Sequence, residues 1–387
     1  MATIRVRDVA MRSNEQSSQQ IKDARRLIIK IGSALLVDEE SGEIQHDWLD
    51  ALADDIFMCR ERGQEVLVVT SGAIAVGRHH LGLHGSTLRL EEKQAAAATG
   101  QIQLAHAYQA TLGRHNLTVA QILLTLADTE ERRRHLNARN TLTQLLQLGA
   151  IPVINENDTV ATQEIRFGDN DRLAARVAAM ISADTLVLLS DIDGLYDADP
   201  RHESQARHIA TLNEINAETE AMAGKPSLGY SSGGMATKLQ AAKISLAAGC
   251  RMAIALGTEP HPLRLMDEGA RCTWFVPQAN PMTARKRWIA GSLQPMGIIV
   301  IDDGAVNALG RGTSLLPAGV TEVKGTFERG DLVSICAVDG REVARGLSAY
   351  ANGDATLISG HKSGEIEAVL GYRGRDELIH RDDLVLS

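Results

Sequence analysis

The sequence predicts an α/β protein: a doubly wound, mostly parallel sheet sandwiched between helices, followed by a small β-rich module. Three observations carry this prediction. Short apolar runs such as "LIIKIG", "EVLVV", "IPVIN" and "TLVLL" have the continuous hydrophobicity of strands buried on both faces. Segments with helical apolar spacing lie between them. Polar clusters follow directly after the runs, where ligands bind in sheets of this kind.

Residues 1–26 are polar, with "RSNEQSSQQ" at their centre, and are expected to form a flexible extension. "LIIKIG" then gives a strand ending in a glycine turn. In "DWLDALADDIFMCRERG", Trp48, Leu49, Leu52 and Ile56 share one helical face and Gly63 stops the helix. "EVLVVTSG" is a strand and turn, "NTLTQLLQLG" the end of a helix, and "IPVINEND" a strand and loop. Leu173, Val177, Met180 and Ile181 mark an amphipathic helix in "DRLAARVAAMI". "TLVLLSDIDG" is a strongly buried strand and "RMAIALG" a further one after a helix. The proline-punctuated, basic stretch 279–296 reads as a linker, and the short runs between glycines in 297–387 read as a β-rich domain.

Composition narrows the function. The chain has 387 residues, room for two or three domains, and 44% hydrophobic and 23% charged residues, as in soluble globular proteins. A net charge of -9 argues against a general nucleic-acid binder. Cys59, Cys250, Cys272 and Cys336 are widely spaced and form no C-x-x-C pair, which points away from a zinc cluster and towards reduced thiols. The histidines have no metal-ligand spacing. No apolar run would cross a bilayer and no signal-peptide core is seen, so a cytoplasmic protein is expected.

The candidate chemistry sits after the strands. In "YSSGGMATK" two glycines precede a lysine, yet the Walker pattern does not fit. Met235, Leu239, Ala242 and Leu246 share a helical face, which places the glycines at a helix N-terminus, a place suited to an anion, with Lys238 one turn in. An ordinary glycine turn is the competing reading. Lys30 ends the first strand, either as a cation for phosphate or as an edge lysine reaching outwards, and Gly32 would let backbone approach a ligand. Ser71 and Gly72 lie on the turn after "EVLVV", and Ser71 suits a helix cap. Asn155, Glu156, Asn157, Asp158, Asp169, Asn170 and Asp171 supply groups for an ammonium and a carboxylate, with Asp169 or Asn170 as a helix cap. Ser190 and Asp191 follow the strongest strand.

Together "IIKIGSALL", "VVTSGAIAVG", "IPVINENDTVATQEIRFGDNDRLAA", "LVLLSDIDGLYDADPR" and "SSGGMATKLQAA" resemble the amino acid kinase family over residues 27–278. "NARNTL", "GDNDRLAA" and "SGGMATK" bring it nearest to members acting on glutamate, and 297–387 looks like a PUA domain. The resemblance implies phosphoryl transfer from ATP, with Mg²⁺ held mainly through its phosphates, to the side-chain carboxylate of L-glutamate. That is the first step of proline synthesis, with proline as feedback inhibitor and a homodimer or homotetramer as the assembly. It implies Lys30 and Lys238 as cations on the transferring phosphate, oriented by Asp171. Ser71, Gly72, Asp158 and Asn170 would hold glutamate. Lys30, Gly32, Ser190, Asp191 and the loop Ser232, Gly233, Gly234, Met235, Ala236, Thr237 and Lys238 would hold ATP. Ala34 departs from the two hydroxyl residues the family often carries after the glycine, leaving Ser33 and backbone N–H groups to hydrogen-bond there. A sister kinase for another small acceptor and an RNA-binding protein with a vestigial kinase domain are the rival readings. The scattered basic residues of the second domain favour a structural or regulatory role over RNA binding.

Overall fold

A computed structural model of the chain describes residues 21–38, 40–83, 88–161, 169–223, 234–291 and 294–387. The chain divides into two units after Pro281.

The first unit is built on an eight-stranded sheet. Its strands are β1 (Arg26–Ile31), β2 (Glu65–Val69), β3 (Val119–Leu124), β4 (Ile151–Glu156), β5 (Thr185–Ser190), β8 (Thr211–Leu212), β9 (Arg251–Leu256) and β10 (Cys272–Phe275). The short pair β6 (Leu195–Tyr196) and β7 (His208–Ile209) forms a separate ribbon. The spatial order is β3-β4-β2-β1-β5-β9-β10-β8. Pairing is parallel from β3 to β9, and only β10 against β9 is antiparallel. The chain winds outwards from β1 through β2 to one side and through β5 to the other. The strand order therefore reverses at β1, which makes the carboxyl end of β1 the natural crevice.

Alternation along β1 explains what fills that crevice. Side chains of a strand point to opposite faces in turn. Leu27, Ile29 and Ile31 join the layer containing Trp48, Leu52 and Tyr108, whereas Ile28 joins the layer containing Leu173, Val177, Leu239 and Ala242. Lys30 shares the parity of Ile28. It therefore emerges against helices Asp169–Ile181 and Met235–Ala247 rather than against helix His46–Glu61. Each fully buried aliphatic residue of this strand contributes about 1.5–3 kcal/mol.

The folded body begins earlier than the expected boundary at residue 26. Ile21 and Ala24 are buried, and the Gln64 side-chain amide donates to both of their carbonyls, at 2.8 and 2.6 Å. Residues 1–20 of the expected extension lie outside the described residues. Helix Leu90–Gly113 and strand β3 fill a region for which the sequence reading assigned no element.

The second unit carries β11 (Gly297–Ile301), β12 (Val320–Gly325), β13 (Leu332–Ala337), β14 (Glu342–Leu347) and β15 (Leu384–Leu386), in the order β12-β11-β13-β14-β15. All neighbours are antiparallel except β11 and β13. Its own core gathers Ile299, Leu309, Phe327, Ile335 and Leu378. The stretch expected to be a linker contains helix Pro281–Gly291, which starts on proline, where the missing N–H is no loss. Ile289 of this helix packs on Leu332 and Leu347, and Arg285 pairs with Asp383 at 2.5 Å.

Candidate active site

The carboxyl ends of β4, β2, β1 and β5, four neighbours in the sheet, deliver Asn155 and Glu156, Ser71, Lys30 and Ser190 to one rim. Helix Asp169–Ile181 crosses beneath that rim and brings Asn170 and Asp171 in its first turn. The two neighbours face different partners.

Asp171 is fully buried and joins two lysines. Lys30 Nζ lies 2.6 Å from its Oδ1 and Lys238 Nζ 3.3 Å from its Oδ2. Thr237 Oγ1 also donates to Oδ2, at 3.2 Å. Burial alone would push the Asp171 carboxyl up, but Lys30 and then Lys238 hold it below the ordinary carboxylate range. Burial pulls Lys30 below the usual lysine range, against the raising effect of Asp171. Buried charges persist only when paired, so each member of this triad needs the others. The net charge of the triad is positive, and it sits beside a helix start.

That helix, Met235–Ala247, has Gly234 as its N-cap, with extended backbone and no side-chain cap. Its first turn contains no acidic residue of its own, so within the helix nothing offsets the positive end of the dipole. Ser232 and Gly233 lie outside the described residues. Gly32 has an ordinary extended backbone, and a β-carbon there would stand 3.9 Å from Lys30 Nζ. At the end of β5, Ser190 Oγ donates to Asp191 Oδ1 at 3.0 Å, and Asp191 itself is exposed.

Asn170 faces the other way. The two hydrogens of its Nδ2 are shared among three acceptors, Thr70 O at 3.0 Å, Ser71 Oγ at 2.9 Å and Asn155 Oδ1 at 3.1 Å. These bonds replace the helix-capping role expected of Asn170, because the helix already starts at Asp169. Ser71 likewise does not cap. Helix Ala73–His80 takes Gly72 as its N-cap, in the left-handed region at φ 100°, without a side-chain cap bond. A β-carbon on Gly72 would meet Val37 Cγ2 at 2.9 Å, so both conformation and space require glycine. The Ser71 hydroxyl is thereby left to Asn170. Asp158, half-buried after β4, has its carboxyl pushed up to about 6 by burial.

Sequence reasoning missed the residues that brace this side. Tyr108 is fully buried and donates to Thr70 Oγ1 at 2.9 Å, and Gln101 Oε1 accepts from Asn155 Nδ2 at 2.7 Å. Both come from helix Leu90–Gly113. The available signal was a glutamine and a tyrosine seven residues apart, on one helical face, in an alanine-rich stretch.

The arrangement thus places a cationic edge at a helix start, suited to phosphate, beside the linked side chains of Ser71, Asn155 and Asn170, with the carboxylate of Asp158 following β4 in the chain. Two family models match the chain. Residues 25–255 match the model of the amino acid kinase family, and residues 297–370 match that of the PUA domain. A protein of Paramagnetospirillum magneticum named glutamate 5-kinase is 64% identical over 94% of this chain and 98% of its own. Proteins of that name from Rhodospirillum rubrum and Agrobacterium fabrum are each 60% identical, over 93% and 94% of this chain and 96% and 93% of theirs.

Proposed function

The chain belongs to the amino acid kinase family, and on that premise we propose that it transfers the γ-phosphoryl group of ATP to the side-chain carboxylate of L-glutamate. The Lys30–Asp171–Lys238 triad is the observation that carries this reading. A carboxylate is already nucleophilic at neutral pH, so no general base is required. The obstacle is the approach of one anion to another, and phosphoryl transfer is then mainly positioning and charge stabilisation.

Lys30 and Lys238 meet the transferring phosphoryl group, and Asp171 fixes their spacing. The first turn of helix Met235–Ala247, Gly32, Ser190, Asp191 and the segment from Ser232 to Lys238 hold ATP. Ser71, Gly72, Asp158 and Asn170 hold glutamate, with Asp158 opposite its ammonium. Both Asp171 oxygens are already paired with lysines, so Mg²⁺ would be held through the phosphates of ATP rather than by that carboxylate. When bound, the ion neutralises phosphate charge.

The same reading makes the reaction the first step of proline synthesis, with proline competing at or beside the glutamate pocket because the two share an α-carboxylate and a nearby nitrogen. The enzyme works as a cytoplasmic homo-oligomer, and its PUA domain has a structural or regulatory role. Trapping the acyl phosphate with hydroxylamine tests the proposal. Hydroxamate formed from ATP and glutamate, and suppressed by proline, is the expected result. Its absence with glutamate and appearance with another acceptor would move the chain to a sister activity. Tight, salt-sensitive RNA binding in a filter assay would overturn the structural or regulatory role of the PUA domain.

A further inference from the structure

A backbone N–H can only donate and a backbone carbonyl can only accept. Two such groups set the polarity of a row of side-chain amides beside the proposed glutamate pocket. Asn155 Oδ1 accepts from the Glu156 N–H at 2.9 Å, so the Nδ2 end of that amide must be the donor. It donates to Gln101 Oε1 at 2.7 Å. The Asn170 amide is fixed in turn by Thr70 O, which can only face Nδ2. With Nδ2 committed to Thr70, Ser71 and Asn155, the remaining end is Asn170 Oδ1. That oxygen is buried and has no hydrogen-bond partner among the described residues. A buried acceptor without a partner costs about 1–3 kcal/mol, so it is a place where an incoming donor gains.

Gln101 stands at the far end of this row, on a helix that meets helix Ala73–His80 through glycine. A β-carbon on Gly100 would lie 1.9 Å from Ala73 O, and one on Gly77 would lie 1.8 Å from Ala96 O. Gly100 directly precedes Gln101, which is 9% exposed. The Asn155 amide, as the partner of Oε1, accounts for a buried glutamine at this position.

We propose that Gln101 is a positioning residue for the acceptor pocket. By accepting from Asn155 Nδ2 it keeps Asn155 Oδ1 against the Asn170 amide, whose polarity Thr70 O sets and whose carbonyl oxygen is left for the substrate, so that the pocket selects an acceptor carrying an ammonium donor. The inference rests on the reading of Ser71, Asp158 and Asn170 as the glutamate pocket. Asp158 supplies the charge for the ammonium, and Asn170 Oδ1 supplies a directed hydrogen-bond acceptor. A dicarboxylate of the same length without the amine, such as glutarate, leaves both unpaired and is rejected on that account.

The test compares Gln101→Met, which keeps length and loses the acceptor, with Gln101→Glu, which keeps an acceptor oxygen. In the methionine variant KM for glutamate should rise roughly ten- to hundred-fold, the cost of one unpaired buried donor. The preference for glutamate over glutarate should shrink by a similar factor, while kcat and KM for ATP stay within about threefold. The glutamate variant should restore KM for glutamate to within about threefold of the parent. A methionine variant that is folded by far-UV circular dichroism and keeps the parent KM and preference overturns the proposal. If that variant does not fold, Gln101→Glu decides: a near-parent KM supports the proposal and a large rise in KM overturns it. A parent enzyme that yields no hydroxamate from glutamate refutes the proposed activity instead. An active parent indifferent to Gln101 refutes only the positioning role of that residue.

Discussion

Lys30 and Asp171 form a fully buried ion pair at 2.6 Å, and the second oxygen of the same carboxylate lies 3.3 Å from Lys238. One anion therefore sets the separation of two cations that would otherwise repel. Asp171→Asn should lower kcat by about 100-fold or more while changing KM for glutamate little. It should also destabilise the fold by about 3–5 kcal/mol, because two buried lysines lose their counter-charge. The lysines hold the native carboxyl below its unfolded value. Its contribution to stability is therefore present at neutral pH and is lost as pH falls through the native value. Steady-state kinetics and thermal unfolding check both parts.

Lys30→Ala and Lys238→Ala should each slow turnover by about 100-fold or more, with a much smaller effect on glutamate binding. Near-normal turnover in both would remove the basis of the assignment. The hydroxamate assay at saturating substrates gives the answer directly.

Asp158 carries a different pH signature. Burial raises its carboxyl to about 6, so it loses its charge as pH falls through that value. KM for glutamate should climb on acidification below this point while kcat changes less. The stability effect has the opposite sense. A raised native value favours the native state when the group is protonated, and the cost appears as pH rises from the ordinary carboxylate range towards 6. Asp158→Asn should therefore raise the Tm of the ligand-free protein at a pH of about 7.5, leave it unchanged near a pH of about 3, and weaken glutamate binding at neutral pH. A pH-independent KM in the parent would contradict this.

Helix Ala73–His80 and helix Leu90–Gly113 meet through Gly77 and Gly100. Because the atoms in the way are backbone, neither Gly77→Ala nor Gly100→Ala can be absorbed by a side-chain shift. Each should cost at least about 2 kcal/mol, read from denaturant unfolding. An alanine in either place with unchanged stability would mean that the two helices separate freely.

Much of the rim was legible in the sequence because strand ends announce themselves. The run "LIIKIG" gives β1 and its parity, and hence the side on which Lys30 emerges. "TLVLLSD" gives β5 in the same way. Asn170 and Ser71 were legible as polar residues in the right place, but not as partners of one another. Capping is a local rule that both satisfy on paper, and a bond between residues 99 positions apart overrides it. Gln101 and Tyr108 were invisible for a related reason. They sit on the core side of helix Leu90–Gly113, and only the close glycine crossing reveals what they face. Helix Pro281–Gly291 was hidden by its leading proline and its charges, which read as linker until Ile289 and Arg285 find their places.

Asn170 and Asp171 are consecutive residues of a single helical turn, one bound to the Ser71 side of the rim and the other to the two lysines. Any twist of that turn moves both grips together. The two sides of the rim are consequently joined through one covalent bond of the main chain, so that a shift on either side is passed to the other without any intervening side chain.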